Sequence, residues 1–177
     1  MLTRRGALAG AAIAVSSCGG GDAPAPRGPR PGSGVGLLNS VLALEHATVA
    51  AYATLGARLD GPARAAARAI AAQERAHVER LSELISGLGG TPVAGRPPAS
   101  YEASFPRLDD AADALLLAVD VEERLVRAYL DALAKLPAGP LRRAAAGLAA
   151  SESEHLAVVH GLQGAPLAGQ AFVTGTS

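Results

Sequence analysis

Six side chains in this 177-residue chain combine types and spacings that suit metal chemistry: Glu45, Glu74, His77, Glu122, Glu152 and His155. Glu74 precedes His77 by three positions, and Glu152 precedes His155 by the same step. On a helix, residues three apart share a face, so each Glu–His pair can reach one ion. Carboxylate with imidazole suits iron, manganese or zinc rather than calcium. A lone Glu-x-x-His would mean little, because nine glutamates and four histidines give about 0.2 such pairs by chance in this length. Here there are two, and each has a further glutamate upstream: Glu45 lies 29 positions before Glu74, and Glu122 lies 30 before Glu152. Tyr52 follows Glu45 by seven, and Tyr129 follows Glu122 by seven. The two halves of the chain therefore repeat in order and spacing.

Positioning these residues calls for four helices. Spacing by alternate fours and threes draws a seam through Leu38, Leu42, Glu45, Val49, Tyr52, Gly56 and Leu59. A second runs through Ala67, Ile70, Glu74, His77, Leu81, Leu84 and Leu88, and a third through Leu115, Val119, Glu122, Val126, Tyr129, Leu133 and Leu136. The fourth takes Leu141, Ala145, Leu148, Glu152, His155, Val159 and Leu162. Each is the stripe of a helix that buries one side in a bundle. Asp60-Gly61-Pro62 and Pro137-Ala138-Gly139-Pro140 are short breaks, so each flanking pair is expected to form an antiparallel hairpin. The stretch from Gly89 to about Pro106, with prolines at 92, 97, 98 and 106, is long enough to return the chain to the other end of the bundle.

Every seam thus carries a glutamate toward the core. Desolvating a carboxylate costs several kcal/mol even after relaxation, and no seam supplies a lysine or arginine in compensation. Two divalent cations would cancel the four charges. Without them the carboxylates are expected to repel one another, and some should take up protons.

The chain resembles the ferritin-like superfamily, and more narrowly the small ferritin-like domains of exported bacterial proteins. Glu45-His46-Ala47-Thr48-Val49-Ala50-Ala51-Tyr52 and Gln73-Glu74-Arg75-Ala76-His77 carry the resemblance, with their counterparts Glu122 to Tyr129 and Glu152 to His155. It covers roughly residues 37–163. It implies an all-α four-helix bundle of two antiparallel hairpins joined by a long crossover, with one Glu from each of two helices and a Glu-x-x-His from each of the others. It further implies that Glu74 and Glu152 bridge two metal ions, that Glu45 and Glu122 are terminal ligands, and that each histidine caps one ion. Iron is the metal implied first, with manganese or zinc open. In such relatives tyrosines placed like Tyr52 and Tyr129 hydrogen-bond near the site or pass electrons, which makes them candidate redox residues; plain core packing is the other reading. Glu123, Glu154, His46 and His160 adjoin the seams and are expected at the surface or just outside the site, with Glu123 an alternative to Glu122.

The activity implied is reaction with dioxygen or peroxide, set against metal holding without turnover and against a structural bundle that binds a partner. No cysteine set exists for a rubredoxin centre, so catalysis would need an external electron donor. Met1 is the only methionine, so no haem ligand of the bacterioferritin kind is expected. A lipid anchor and the lack of an obvious fifth helix speak against a storage cage, while a homodimer is compatible with the reading.

The anchor is read from the amino terminus. Arg4 and Arg5 precede ten small or apolar residues, Gly6 to Val15, and Val15-Ser16-Ser17-Cys18 resembles a bacterial lipobox. Ten residues are too few to cross a bilayer, which takes roughly 20. The expectation is a signal peptide over 1–17, lipid on Cys18, and export to the outer face of the cell membrane by the twin-arginine or the general secretory route. Residues 18–36 are rich in Gly, Pro, Ala and Arg and read as a tether; residues 37–163 form the bundle and 164–177 a tail. Formal net charge is zero, aromatic content is 3%, and no basic patch is interleaved with aromatics, so no nucleic-acid partner is expected.

Overall fold

The computed structural model describes residues 34–164. Cys18, the signal-like segment, most of the expected tether and the tail from 165 onward lie outside the described residues. Five helices follow in order: α1 (Gly34–Leu55), α2 (Gly61–Gly87), α3 (Pro98–Glu102), α4 (Ala111–Lys135) and α5 (Pro140–Leu162). A single 3-10 turn, Gly56–Arg58, closes α1. The first helix begins three residues inside the segment expected to be tether. The short α3 sits within the long, proline-containing crossover.

Local sequence sets the helix ends. Pro62 and Pro140 occupy the first turn of α2 and α5, where a missing N–H costs nothing. Asp110 caps α4 by accepting from the Asp113 backbone N–H at 3.0 Å. After α2 the chain turns at Gly89, whose φ of 72° suits glycine. The Gly89 N–H donates to the Ser86 carbonyl and the Gly90 N–H to the Ile85 carbonyl, a paired closure of the helix end. Gly90 is held for a different reason: a Cβ there would lie 2.5 Å from Val35 of α1.

That turn starts the crossover along α1. Asn39 holds it with both ends of its amide, donating to the Thr91 carbonyl at 2.9 Å and accepting from the Val93 N–H at 2.7 Å. His46 Nε2 lies 3.2 Å from the Val93 carbonyl, and Tyr101 accepts from the Arg96 N–H at 2.8 Å while Arg96 covers its ring. The chain so returns to the far end of the bundle before α4 starts. At one end the start of α1 meets Leu88, Leu136 and Leu141, so α1 runs antiparallel to both α2 and α4. This is the arrangement of two hairpins and a crossover.

Two apolar layers fill the bundle. One joins Leu38, Leu42, Leu81, Ile85, Leu125 and Tyr129; the other joins Tyr52, Leu55, Ile70, Leu117, Ala118 and Val159. In places the buried stripes depart from the sequence seams. Thr48, Ile85, Leu125 and Ala149 are buried, whereas Val49, Leu84, Val126 and Leu148 are only half-buried and Leu88 is 48% exposed. A globular bundle buries a wider stripe than two positions in seven, which brings in residues beside the seam. The segment Gly34–Arg58, α1 with its closing turn, is long and apolar enough to cross a membrane by length and composition alone. Its contacts with α2 and α4, and the buried Glu45 on its inward face, account for that apolarity as the core helix of a bundle.

Candidate metal centre

Between the two apolar layers lie the six chosen side chains and little else that is polar. Glu45, Glu74, Glu122 and Glu152 are fully buried, and His77 and His155 nearly so. Their ligand atoms fall into two sets. Glu45, Glu74, His77 and Glu152 bring one atom each within 4.8 Å of one another, and Glu74, Glu122, Glu152 and His155 do the same. Glu74 and Glu152 belong to both sets; Glu45 and Glu122 belong to one each.

The repeat in sequence becomes a pseudo-twofold in space. His77 Nδ1 lies 2.6 Å from Glu152 Oε1, and His155 Nδ1 lies 2.8 Å from Glu74 Oε1, so each histidine reaches across to the other hairpin. The two imidazoles stack with centroids 5.6 Å apart. Tyr52 of α1 donates to Glu122 of α4 at 2.5 Å, and Tyr129 of α4 donates to Glu45 of α1. Burial and the neighbouring carboxylates push both phenols far above the ordinary range, so each stays a proton donor.

Sequence reasoning missed how the metal-free site balances its charge. Burial works against charge on the histidines, yet contact with Glu152 and Glu74 raises His77 to about 9, and Glu122, Glu152 and Glu74 raise His155 to about 12. Burial likewise opposes ionisation of Glu74, but the histidines and Glu45 hold it down at about 2. Glu122 rises to about 7 and Glu45 rises well above the carboxylate range, in both cases chiefly through burial. Contact with these carboxylates favours the protonated form of both histidines when no ion is bound. The expected repulsion remains on Glu45 and Glu122 and is relieved on Glu74.

This compensation is incomplete as hydrogen bonding. Glu45 Oε2, both oxygens of Glu74 and of Glu152, Glu122 Oε2 and both histidine Nδ1 atoms are buried without an aligned hydrogen-bond partner. Buried polar atoms are rarely left so, and an ion is one remedy. Six unsatisfied oxygens and two nitrogens, all turned toward one another, fit a pair of cations. The donor set is hard and borderline, and four carboxylates carry the charge of two divalent ions.

One residue outside the six completes the surround. Gln73 Oε1 lies 2.5 Å from His155 Nε2. An acceptor there keeps the proton on Nε2 and presents Nδ1 to the site, the usual outer support of a metal-binding histidine. Ser151 stands at the matching place in the other half and makes no such contact among the described residues. The only signal in sequence was the position directly before Glu74. The neighbours of the seams fall outside the centre: Glu123 pairs with Arg127 at 3.0 Å, Glu154 is exposed, His46 holds the crossover, and His160 Nδ1 lies 3.3 Å from Gln163 Oε1. Glu123 is therefore no substitute for Glu122.

Fold and site together define a ferritin-like helical bundle with a buried carboxylate–histidine centre. The chain belongs to the ferritin-like domain family, whose model matches residues 33–165. Two solved structures share the fold. A conserved hypothetical protein, rv2844, from Mycobacterium tuberculosis is 23% identical with a TM-score of 0.66, over 81% of this chain and 99% of that one. A ferritin-like, diiron-carboxylate protein from Bacillus anthracis is 23% identical with a TM-score of 0.61, over 73% and 94%. Among curated proteins nothing matches.

Proposed function

We propose that the protein is a di-iron, or mixed iron–manganese, carboxylate protein that reacts with dioxygen or peroxide. The observation that carries the reading is the sharing of Glu74 and Glu152 between two otherwise separate four-residue sets. Two ions bound in those sets would be adjacent and could pass two electrons to one oxidant. Glu74 and Glu152 would bridge them, Glu45 and Glu122 would each close one end, and His77 and His155 would each add a nitrogen. The apolar layers on either side keep bulk water from the carboxylates. Tyr52 and Tyr129 hold the terminal carboxylates in place by donating to one oxygen each, leaving the other free for an ion. An external donor would have to return the electrons, since the chain has one cysteine and one methionine, both near its start. The name of the Bacillus anthracis neighbour speaks for the same metal chemistry.

Reconstitution of the folded protein with ferrous iron under anaerobic conditions should give about two ions per chain. Elemental analysis decides this, and a folded bundle that retains none would end the reading. Adding oxygen or peroxide should then consume the oxidant and bleach or build an iron chromophore. Metal retained without any consumption would leave a protein that holds metal and does not turn over.

We also propose that the bundle is held at the outer face of the cell membrane by lipid on Cys18. The support is the Val15-Ser16-Ser17-Cys18 sequence and the Gly/Pro-rich stretch that separates it from α1. In cells, Cys18→Ser should release the protein from the membrane fraction or leave its signal uncut. A wild-type protein found soluble with Met1 intact would refute this.

A further inference from the structure

A cleft of about 500 Å³ opens to solvent between α1 and α2, with Tyr52 in its wall and Arg64, Arg68 and Arg75 along its α2 side. The arginines fall on one face of α2, and no acidic residue lines the cleft. Elsewhere on the surface Arg80, Arg107, Arg124 and Arg127 each pair with a carboxylate, while Arg58, Arg142 and Arg143 do not among the described residues. Arg68 and Arg75 pair with none among the described residues, and Glu79, one turn beyond Arg75, forms no ion pair with it. Arg64 is partly engaged through Nε with the Leu59 carbonyl.

The internal repeat supplies a control. The counterparts of Gly56, Arg68 and Arg75 in the second half are Leu133, Ala146 and Ser153. Leu133 packs against the core there, and Tyr129 is fully buried where Tyr52 borders the cleft. Gly56 leaves its space open, for a Cβ at that position would touch nothing within 4 Å. The second half keeps only Arg142 of the three arginines and fills the place of Gly56 with Leu133, whereas the first half has a basic cleft.

We propose that this cleft is a binding site for a small oxyanion carrying at least two negative charges, of the phosphate or polycarboxylate type, held by Arg68 and Arg75 beside Tyr52. Guanidinium groups bind such oxygens in pairs and keep their charge at any physiological pH. A metal cation is repelled by the same lining, so the cleft is not a route for metal entry. Tyr52 donates to Glu122, which places the bound anion one side chain from the centre. The inference stands apart from the metal reading, because the cleft is formed by residues that are not ligands.

Inorganic phosphate and citrate are titrated calorimetrically into the mature protein kept metal-free, so that bound iron cannot capture either. One site per chain is expected, weakening as salt rises. Arg68→Ala with Arg75→Ser, which copies the other half, should weaken binding at least tenfold, and Arg142→Ala, the counterpart of Arg64, should leave it unchanged. Gly56→Leu should close the cleft and abolish binding while metal stoichiometry and helicity stay as in the wild type; should this variant misfold, the arginine pair decides alone. Tightest binding by phosphate or by citrate tells the two sources apart. Equal binding by wild type and the double arginine variant, or no binding of either probe, would overturn the proposal.

Discussion

Replacing Glu74 and Glu152 together by glutamine is expected to abolish binding of both metal ions, while Glu45→Gln or Glu122→Gln alone should cost only one. The difference follows from membership: Glu74 and Glu152 serve both four-residue sets, and Glu45 and Glu122 serve one set each. Loss of an outer support lowers metal affinity by about 10- to 100-fold, so loss of a shared ligand should exceed about 100-fold at both positions. The variants should also differ when metal-free. Glu45 and Glu122 are raised by burial, so their charge is a cost to the fold, and glutamine keeps an acceptor for the Tyr129 or Tyr52 hydroxyl. Those single variants should melt at or above metal-free wild type near neutral pH. Glu74 is held down by the two histidines, so its replacement removes an attraction and should lower the melting temperature. Metal content by elemental analysis and melting in the presence of chelator check both halves. Two ions retained by the Glu74/Glu152 variant, or none by Glu45→Gln, would contradict the shared-ligand arrangement.

Much of this was legible in the sequence, for a physical reason. Ligands three apart on one helix and matched over two helices are local and periodic features, and both survive without knowledge of the fold. The hairpins and crossover were legible because Gly61-Pro62, Gly139-Pro140 and the proline-rich stretch break helices wherever they stand. What could not be read depends on contacts between distant segments. That Tyr52 reaches Glu122 and Tyr129 reaches Glu45 is a swap across helices 70 and 84 positions apart. Histidine as counter-ion was hidden because its charge depends on which carboxylates surround it. Gln73 and the arginine face of α2 are exposed residues, and exposure looks alike in sequence whether or not a site lies beneath. At Val49, Leu84 and Val126 the seam side chains are half-buried because a globular bundle buries a wider stripe than two positions in seven, taking in Thr48, Ile85 and Leu125 beside them.

Metal should stabilise the protein more as pH rises, because proton and metal compete for the same atoms. In the metal-free fold His77 sits at about 9 and His155 at about 12, against an ordinary 6.5. A group raised on folding lends stability that is full below its unfolded value and is lost as pH climbs through its folded value. The two histidines therefore support the metal-free bundle below pH 6.5 and cease to do so from 6.5 upward through 9 and beyond. Glu122, raised from 4.5 to about 7, acts in the same direction at lower pH, as does Glu45. Glu74, lowered to about 2, works oppositely: its contribution is present above 4.5 and is lost as pH falls toward 2. The metal-free protein should accordingly be most stable near pH 4.5, weaken from there as Glu45 and Glu122 ionise, and weaken more steeply above pH 6.5 as the histidines also lose their protons. Bound metal reverses the trend, since its ligands must be deprotonated and each ion displaces protons as it enters. At pH near 7.5 uptake of two ions should release roughly two protons from the histidines and a fraction more from Glu45 and Glu122. At a thousandfold excess over Kd each ion adds roughly 4 kcal/mol, so the melting temperature should rise on the order of 15 °C or more. That gap should widen between about pH 5.5 and about pH 8.5, as read by calorimetric melting with metal and with chelator. Proton release follows from titrations in buffers of different ionisation heat. A gap that narrows with pH, or uptake without proton release, would mean that the histidines are neutral in the metal-free site and that its four carboxylates are balanced in some other way.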